Sequence, residues 1–152
     1  MNKKIFYRIL NILCLVMVLA TTAWLIAYWK NIPKEIPTHF DIYGNPDDFG
    51  SKKDIIMLPI LTWIMLGVMS LVECFPGAWN TGVKVTPENS ARVYGIIKGM
   101  LVWIKLFVIL IFVLMTIFSA LGKSLPVWLT PVEMLLIFGT IIVNLVRLYK
   151  AR

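Results

Sequence analysis

Apolar residues gather along this chain in four long blocks: Ile9–Trp29, Ile55–Phe75, Leu101–Leu121 and Val132–Tyr149. A helix that crosses a bilayer needs about 20 mostly apolar residues, so each block predicts a transmembrane helix. The first block follows Asn2-Lys3-Lys4 and contains small residues near Ala23, as a signal peptide would. Its apolar run exceeds the roughly 7–15 residues of a signal-peptide core, which predicts a retained helix. Between the first two blocks lies "IPTHFDIYGNPDDFGSKKD", residues 36–54, with a different rhythm. From Ile36 to Tyr43 the side chains alternate, with Thr38, Phe40 and Ile42 on one side and His39, Asp41 and Tyr43 on the other. That is the period of a strand. Gly44-Asn45-Pro46-Asp47 is turn chemistry, because glycine permits positive φ and proline fixes the next angle. The expected loop is ordered: an extended segment, a turn and a return into the second helix. Phe40 and Phe49 are expected to pack together over the helix ends.

Helix-start signals refine the spans. Ser51 to Asp54 fits a capping box at the start of the second helix. Thr130-Pro131-Val132-Glu133 fits a fuller one, which predicts Glu133 as an interfacial cap residue. Thr86-Pro87-Glu88-Asn89 places the start of a long third helix near Pro87. Pro59 predicts a kink near the outer end of the second helix.

Composition agrees with the pattern. The chain has 152 residues, 59% hydrophobic and 15% charged, with mean hydropathy +0.82; soluble domains average about 25% charged residues. The reading is an all-α integral membrane protein, one membrane domain over residues 1–152, with four transmembrane helices. The net charge of +7 does not indicate nucleic acid, because the charges flank the apolar blocks and form no stripe on a soluble face. Lys3, Lys4, Arg8, Lys84, Arg92, Lys98, Arg147, Lys150 and Arg152 fall on one side of the spans. Lys30, Lys34, Lys52, Lys53 and Lys123 fall on the other. The positive-inside rule then predicts cytoplasmic N- and C-termini and an outward loop between helices 1 and 2. Cys14 and Cys74 lie in apolar blocks and read as buried, inert thiols with no disulfide framework.

Two ionisable residues sit inside the blocks, Glu73 near the end of the second and Lys105 early in the third. Near the same interface on adjacent antiparallel helices, they predict an ion pair, or two side chains that snorkel to the headgroups. Loop 30–54 carries the remaining chemistry. It holds the single histidine, His39, beside Asp41, Asp47 and Asp48. Such a set admits a metal or proton site, a general base, a recognition platform edged by Phe40, Tyr43 and Phe49, or a hydrogen bond from His39 that holds the loop shut. One histidine and no telling nucleophile weigh against metal and catalysis, so no metal, cofactor or enzyme activity is expected.

The stretch "IPTHFDIYGNPDDFGSK" resembles the signature of the bacterial family known as domain of unknown function 1648. The matching positions are Pro37, His39, Gly44, Asp47, Gly50, Ser51 and Lys52. The resemblance covers roughly residues 15–65, and "WNTGVKVTPENSARVYGIIKGMLVWIK" looks like the continuation seen in many members. That family includes the immunity protein against the sporulation-delaying toxin, which carries further membrane helices after this domain. The resemblance implies an immunity or sensing role in the bacterial cell membrane. The candidate loop motif, for recognition or for structure, comprises Pro37, His39, Phe40, Asp41, Gly44, Asp47, Asp48, Gly50, Ser51 and Lys52. The expected partners are the lipid bilayer and an amphipathic peptide or membrane protein. The alternative is a small transporter or accessory subunit. Against it stand the midplane residues Thr21, Thr22, Trp63, Gly67, Gly139 and Thr140, none of them ionisable.

Overall fold

The computed structural model describes residues 2–152. Four helices form a bundle: α1 (Lys3–Tyr28), α2 (Met57–Cys74), α3 (Ser90–Ala120) and α4 (Leu129–Tyr149). All four are long and apolar enough to cross a membrane. The chain is a multi-pass membrane protein by this measure. α3 is the central post, packed against α1, α2 and α4. The core sits in three levels along it. Cys14, Val18, Leu66, Ile109 and Val113 pack at mid-height between α1, α2 and α3. Leu25, Ile32, Ile36, Ile55 and Ala120 close one end. Val93, Ile97, Leu148 and Ala151 close the other, where both termini lie. Leu19, Val68, Leu135, Phe138 and Ile142 are among the large apolar side chains left exposed, an outer surface suited to lipid chains.

The loop between α1 and α2 is a β-hairpin, so the architecture is four helices plus a small sheet rather than purely α. β1 (Glu35–Phe40) and β2 (Pro46–Ser51) pair antiparallel. The register skips Thr38 on β1 and Asp47 on β2, irregularities that bend and twist a hairpin. Phe49 stands opposite Pro37, while Phe40 stands opposite Pro46 at the other end of the ladder. The register thus separates the two phenylalanines expected to pack together, and Phe49 is exposed.

Three helix starts differ from expectation. Asp54 accepts the Ser51 amide at 2.6 Å, the return arm of the capping box. It caps a 3-10 turn, Lys52–Ile56, which then leads into α2. Pro59 consequently lies in the first turn of α2, where its missing N–H costs no helical bond. α3 starts at Ser90, after a turn in which the Asn89 side chain accepts the Thr86 amide at 2.8 Å. α4 starts at Leu129, a residue before Thr130, and the side chain before it forms no capping bond. Glu133 is therefore not a cap; it lies inside the helix and is buried. Cys14 is buried, but Cys74 is exposed.

Candidate functional site

Several residues singled out in residues 36–54 shape the hairpin or fasten it to the bundle. Ile36 and Pro37 are fully buried against the bundle end. The Asp41 carboxylate organises the turn, accepting the Tyr43 and Asn45 amides at 2.8 Å each. Loss of hydration pushes this carboxyl up, but the bonds from Asn45, Tyr43 and Gly44 outweigh it and hold it below the usual carboxylate range. Gly44 adopts φ +83°, a region that favours glycine. Its carbonyl accepts the Leu125 amide at 2.8 Å, docking the turn onto the α3–α4 connection. A Cβ at Gly44 would stand 2.5 Å from the Leu125 carbonyl oxygen. Gly50 is equally confined, between Thr38 and the Asp54 carboxylate. The Lys52 ammonium lies 4.9 Å from the centre of the Trp29 ring, and its amide bonds to the Lys34 carbonyl at 2.9 Å. The first contact ties the end of α1, and the second the residue before β1, to the end of β2.

His39, Asp47 and Asp48 behave differently. His39 Nδ1 lies 2.5 Å from Asp47 Oδ1, with the side chains 69% and 46% exposed. Thr38 Oγ1 donates to Asp48 Oδ2 at 3.2 Å, also at the surface. Among the described residues no three His, Cys, Asp or Glu side chains are grouped to hold a metal ion.

A groove of about 630 Å³ separates the hairpin from α3 and α4. Phe40 and Ile42 line it from the hairpin, and Ile111, Met115, Leu125 and Ile137 from the bundle. Its acidic groups are Asp41, Asp47 and Glu133, with His39 beside them. Glu133 is 6% exposed, and its Oε1 is buried with no hydrogen-bond partner among the described residues. Such an orphan carboxylate oxygen costs free energy in the folded state. The signal for it in the sequence was Thr130-Pro131-Val132-Glu133, whose likeness to a capping box pointed to the wrong role.

At the opposite end, Lys105 Nζ stands 2.6 Å from Glu73 Oε1, with side chains 1% and 6% exposed. The ammonium aims its directed bond at Ser70 Oγ, 3.1 Å away, so Oε1 receives charge without an aligned hydrogen bond. Asn11 donates to Glu73 Oε2 at 3.0 Å. The pair thus links α1, α2 and α3 inside the bundle, and neither side chain snorkels outward. Asn11 and Ser70 were not legible as partners, because lone polar residues in apolar blocks carry no pairing signal. Charge is unevenly shared between the ends. The hairpin end holds six acidic residues and five Lys or Arg; the terminal end holds two and ten.

Residues 16–63 match the family model described as domain of unknown function (DUF1648). The match covers α1 from its middle, the hairpin, and α2 as far as Trp63. No curated protein and no solved structure matches the chain.

Proposed function

We propose that this protein is a binding or immunity-type protein of the bacterial cell membrane, which recognises an amphipathic, membrane-active peptide at the hairpin end. The observation that carries the reading is the groove under the hairpin. It combines an apolar floor with acidic groups, and one of these, Glu133, is buried with an unpartnered oxygen. A peptide segment with apolar side chains and a cationic group complements both features. The hairpin is fastened by Pro37, Gly44, Gly50 and Lys52, which spares the ligand the entropy of ordering the loop. His39, Asp47 and Ser51 are the residues of the motif that the fold leaves exposed; of these Ser51 is engaged in the capping box, which leaves His39 and Asp47 suited to contact with a partner. The excess of Lys and Arg at the terminal end favours cytoplasmic termini and an outward hairpin, the side from which an external peptide arrives. The resemblance to a family that includes a toxin-immunity protein supports the same reading.

The test is survival. Cells lacking the protein, and the same cells expressing it, are exposed to spent medium containing membrane-active peptides of related strains. Expression should protect, and Glu133→Gln or His39→Ala at equal abundance should protect less. Coincident survival curves would rule out immunity to those peptides and leave the accessory-subunit reading in front.

A further inference from the structure

Three helices meet at the terminal end around a second concavity, independent of the hairpin groove. It encloses about 410 Å³ and is lined by Lys3 and Tyr7 of α1, Arg92 and Gly95 of α3, and Asn144 and Arg147 of α4, among others. No carboxylate lines it. Lys3, Arg92 and Arg147 form no salt bridge among the described residues. Cations that converge on a concave space without a counter-charge repel one another, and an anion placed between them relieves the repulsion. Two guanidinium groups offer the forked donors that suit phosphate oxygens.

The depth of the pocket fits a headgroup. Counting back from the hairpin end, about 20 residues, or roughly 30 Å, bring α1 to Ile9 and α3 to Leu101. Lys3, Tyr7, Arg92 and Gly95 lie just beyond those points, at the level of the polar lipid layer. The pocket also continues into the bilayer. A neighbouring groove of about 640 Å³ shares Lys3, Tyr7 and Gly95 with it and extends along α1 to Ile12 and Leu15. A polar cup that opens into an apolar channel matches a molecule with an anionic head and a hydrocarbon chain, where a free anion would use the cup alone. Glycines shape both parts. Gly99 lets Tyr7 lie against α3, since a Cβ there would be 2.6 Å from the Tyr7 hydroxyl; Gly95 faces open space.

We propose that this pocket binds an anionic phospholipid of the surrounding bilayer, with its phosphate between Arg92, Arg147 and Lys3 and an acyl chain along Ile12 and Leu15. The full chain would be placed in nanodiscs of phosphatidylcholine with a minor share of phosphatidylglycerol, and the lipid retained on release would be counted by native mass spectrometry. The wild type should retain phosphatidylglycerol selectively. Each basic residue near the surface favours an anionic lipid by a factor of about five, so Arg92→Gln with Arg147→Gln should reduce retention roughly 25-fold. Gly95→Leu keeps every charge, meets no atom at its Cβ and favours helix; it should fill the pocket and also displace the lipid. Lys150→Gln with Arg152→Gln removes two charges from the same end outside the pocket and should leave retention unchanged. Three results would overturn the proposal: equal loss in that control pair, which means diffuse attraction; full retention in Gly95→Leu; or displacement of the lipid by millimolar inorganic phosphate, which means a soluble-anion site.

Discussion

Glu73 and Glu133 are both buried carboxylates, one near each end of the bundle, and they differ in what faces them. Glu73 has an ammonium at 2.6 Å and an amide donor from a third helix. Glu133 has a buried oxygen with no hydrogen-bond partner among the described residues and borders an open groove. A neutralised pair inside a bundle ties helices together. An orphan carboxylate destabilises the fold, and a site that keeps one is suited to receive a cation from elsewhere. The comparison therefore sets a structural junction at the terminal end against the groove proposed as the recognition site at the hairpin end.

Breaking the junction should have the largest effect. Lys105→Ala leaves the Glu73 charge buried and unpaired, which costs about 3–5 kcal/mol. Unfolding in mild detergent should show that loss, and replacement of both partners by Met and Leu should recover most of it. A single variant as stable as the wild type would mean that the pair is hydrated and holds nothing.

The opposite sign is expected at the other carboxylate. Glu133→Gln replaces a buried, partly unsatisfied ionisable group with a neutral amide at nearly constant shape and should stabilise the isolated protein, by about 1–2 kcal/mol. The same change should weaken peptide binding. A destabilised Gln variant would show that Glu133 has a partner in the folded protein.

Gly44→Ala should cost about 1–3 kcal/mol of hairpin docking, since the added methyl meets the Leu125 carbonyl and the backbone lies in the left-handed region. Limited proteolysis of the hairpin should report it. By contrast His39→Ala should change stability by no more than about 1 kcal/mol, because its contact with Asp47 is exposed to solvent and such surface contacts contribute little. A large loss there would make His39 a structural latch.

The smallest effect is a pH dependence. Asp41 is held below the usual carboxylate range in the fold, so its contribution is present above its unfolded pKa and is lost as pH falls through the lower, folded value. The Tyr43 and Asn45 amide resonances should therefore keep their folded positions down through the ordinary aspartate range and shift only below it. A shift within that range would contradict the turn geometry.

Much of this was legible in the sequence, for identifiable reasons. Four apolar blocks give four helices because helix is the way for an isolated segment to satisfy its backbone in lipid. The alternation from Ile36 gave an extended strand and the glycine gave a reversal, but the strand ends at Phe40 and the turn falls at Asp41–Asn45, so Pro46 and Asp47, expected in the turn, open β2 instead. The strand pairing and the skipped positions Thr38 and Asp47 carry no signal in local spacing, and neither does the docking of Gly44 to Leu125, a contact 81 positions away in sequence. Glu133 was misread because local spacing favoured a cap, while the position of α4 against α3 is a tertiary matter. Glu73 and Lys105 stood out in the sequence as either an ion pair or two snorkelling side chains, and only their burial between the helices decides for the pair. Asn11 and Ser70 were not, because either could as well have satisfied its own helix backbone.

The most direct test of the hairpin-end site is a binding titration. A fluorescent cationic amphipathic peptide would be titrated onto the purified protein in uncharged nanodiscs, with the wild type, Glu133→Gln and the Arg92→Gln, Arg147→Gln pair side by side. The account predicts saturable binding that Glu133→Gln weakens about tenfold or more, as expected for losing a buried charge partner, and that the arginine pair leaves unchanged. Equal affinity for wild type and Glu133→Gln would contradict it and leave the groove without a part in recognition.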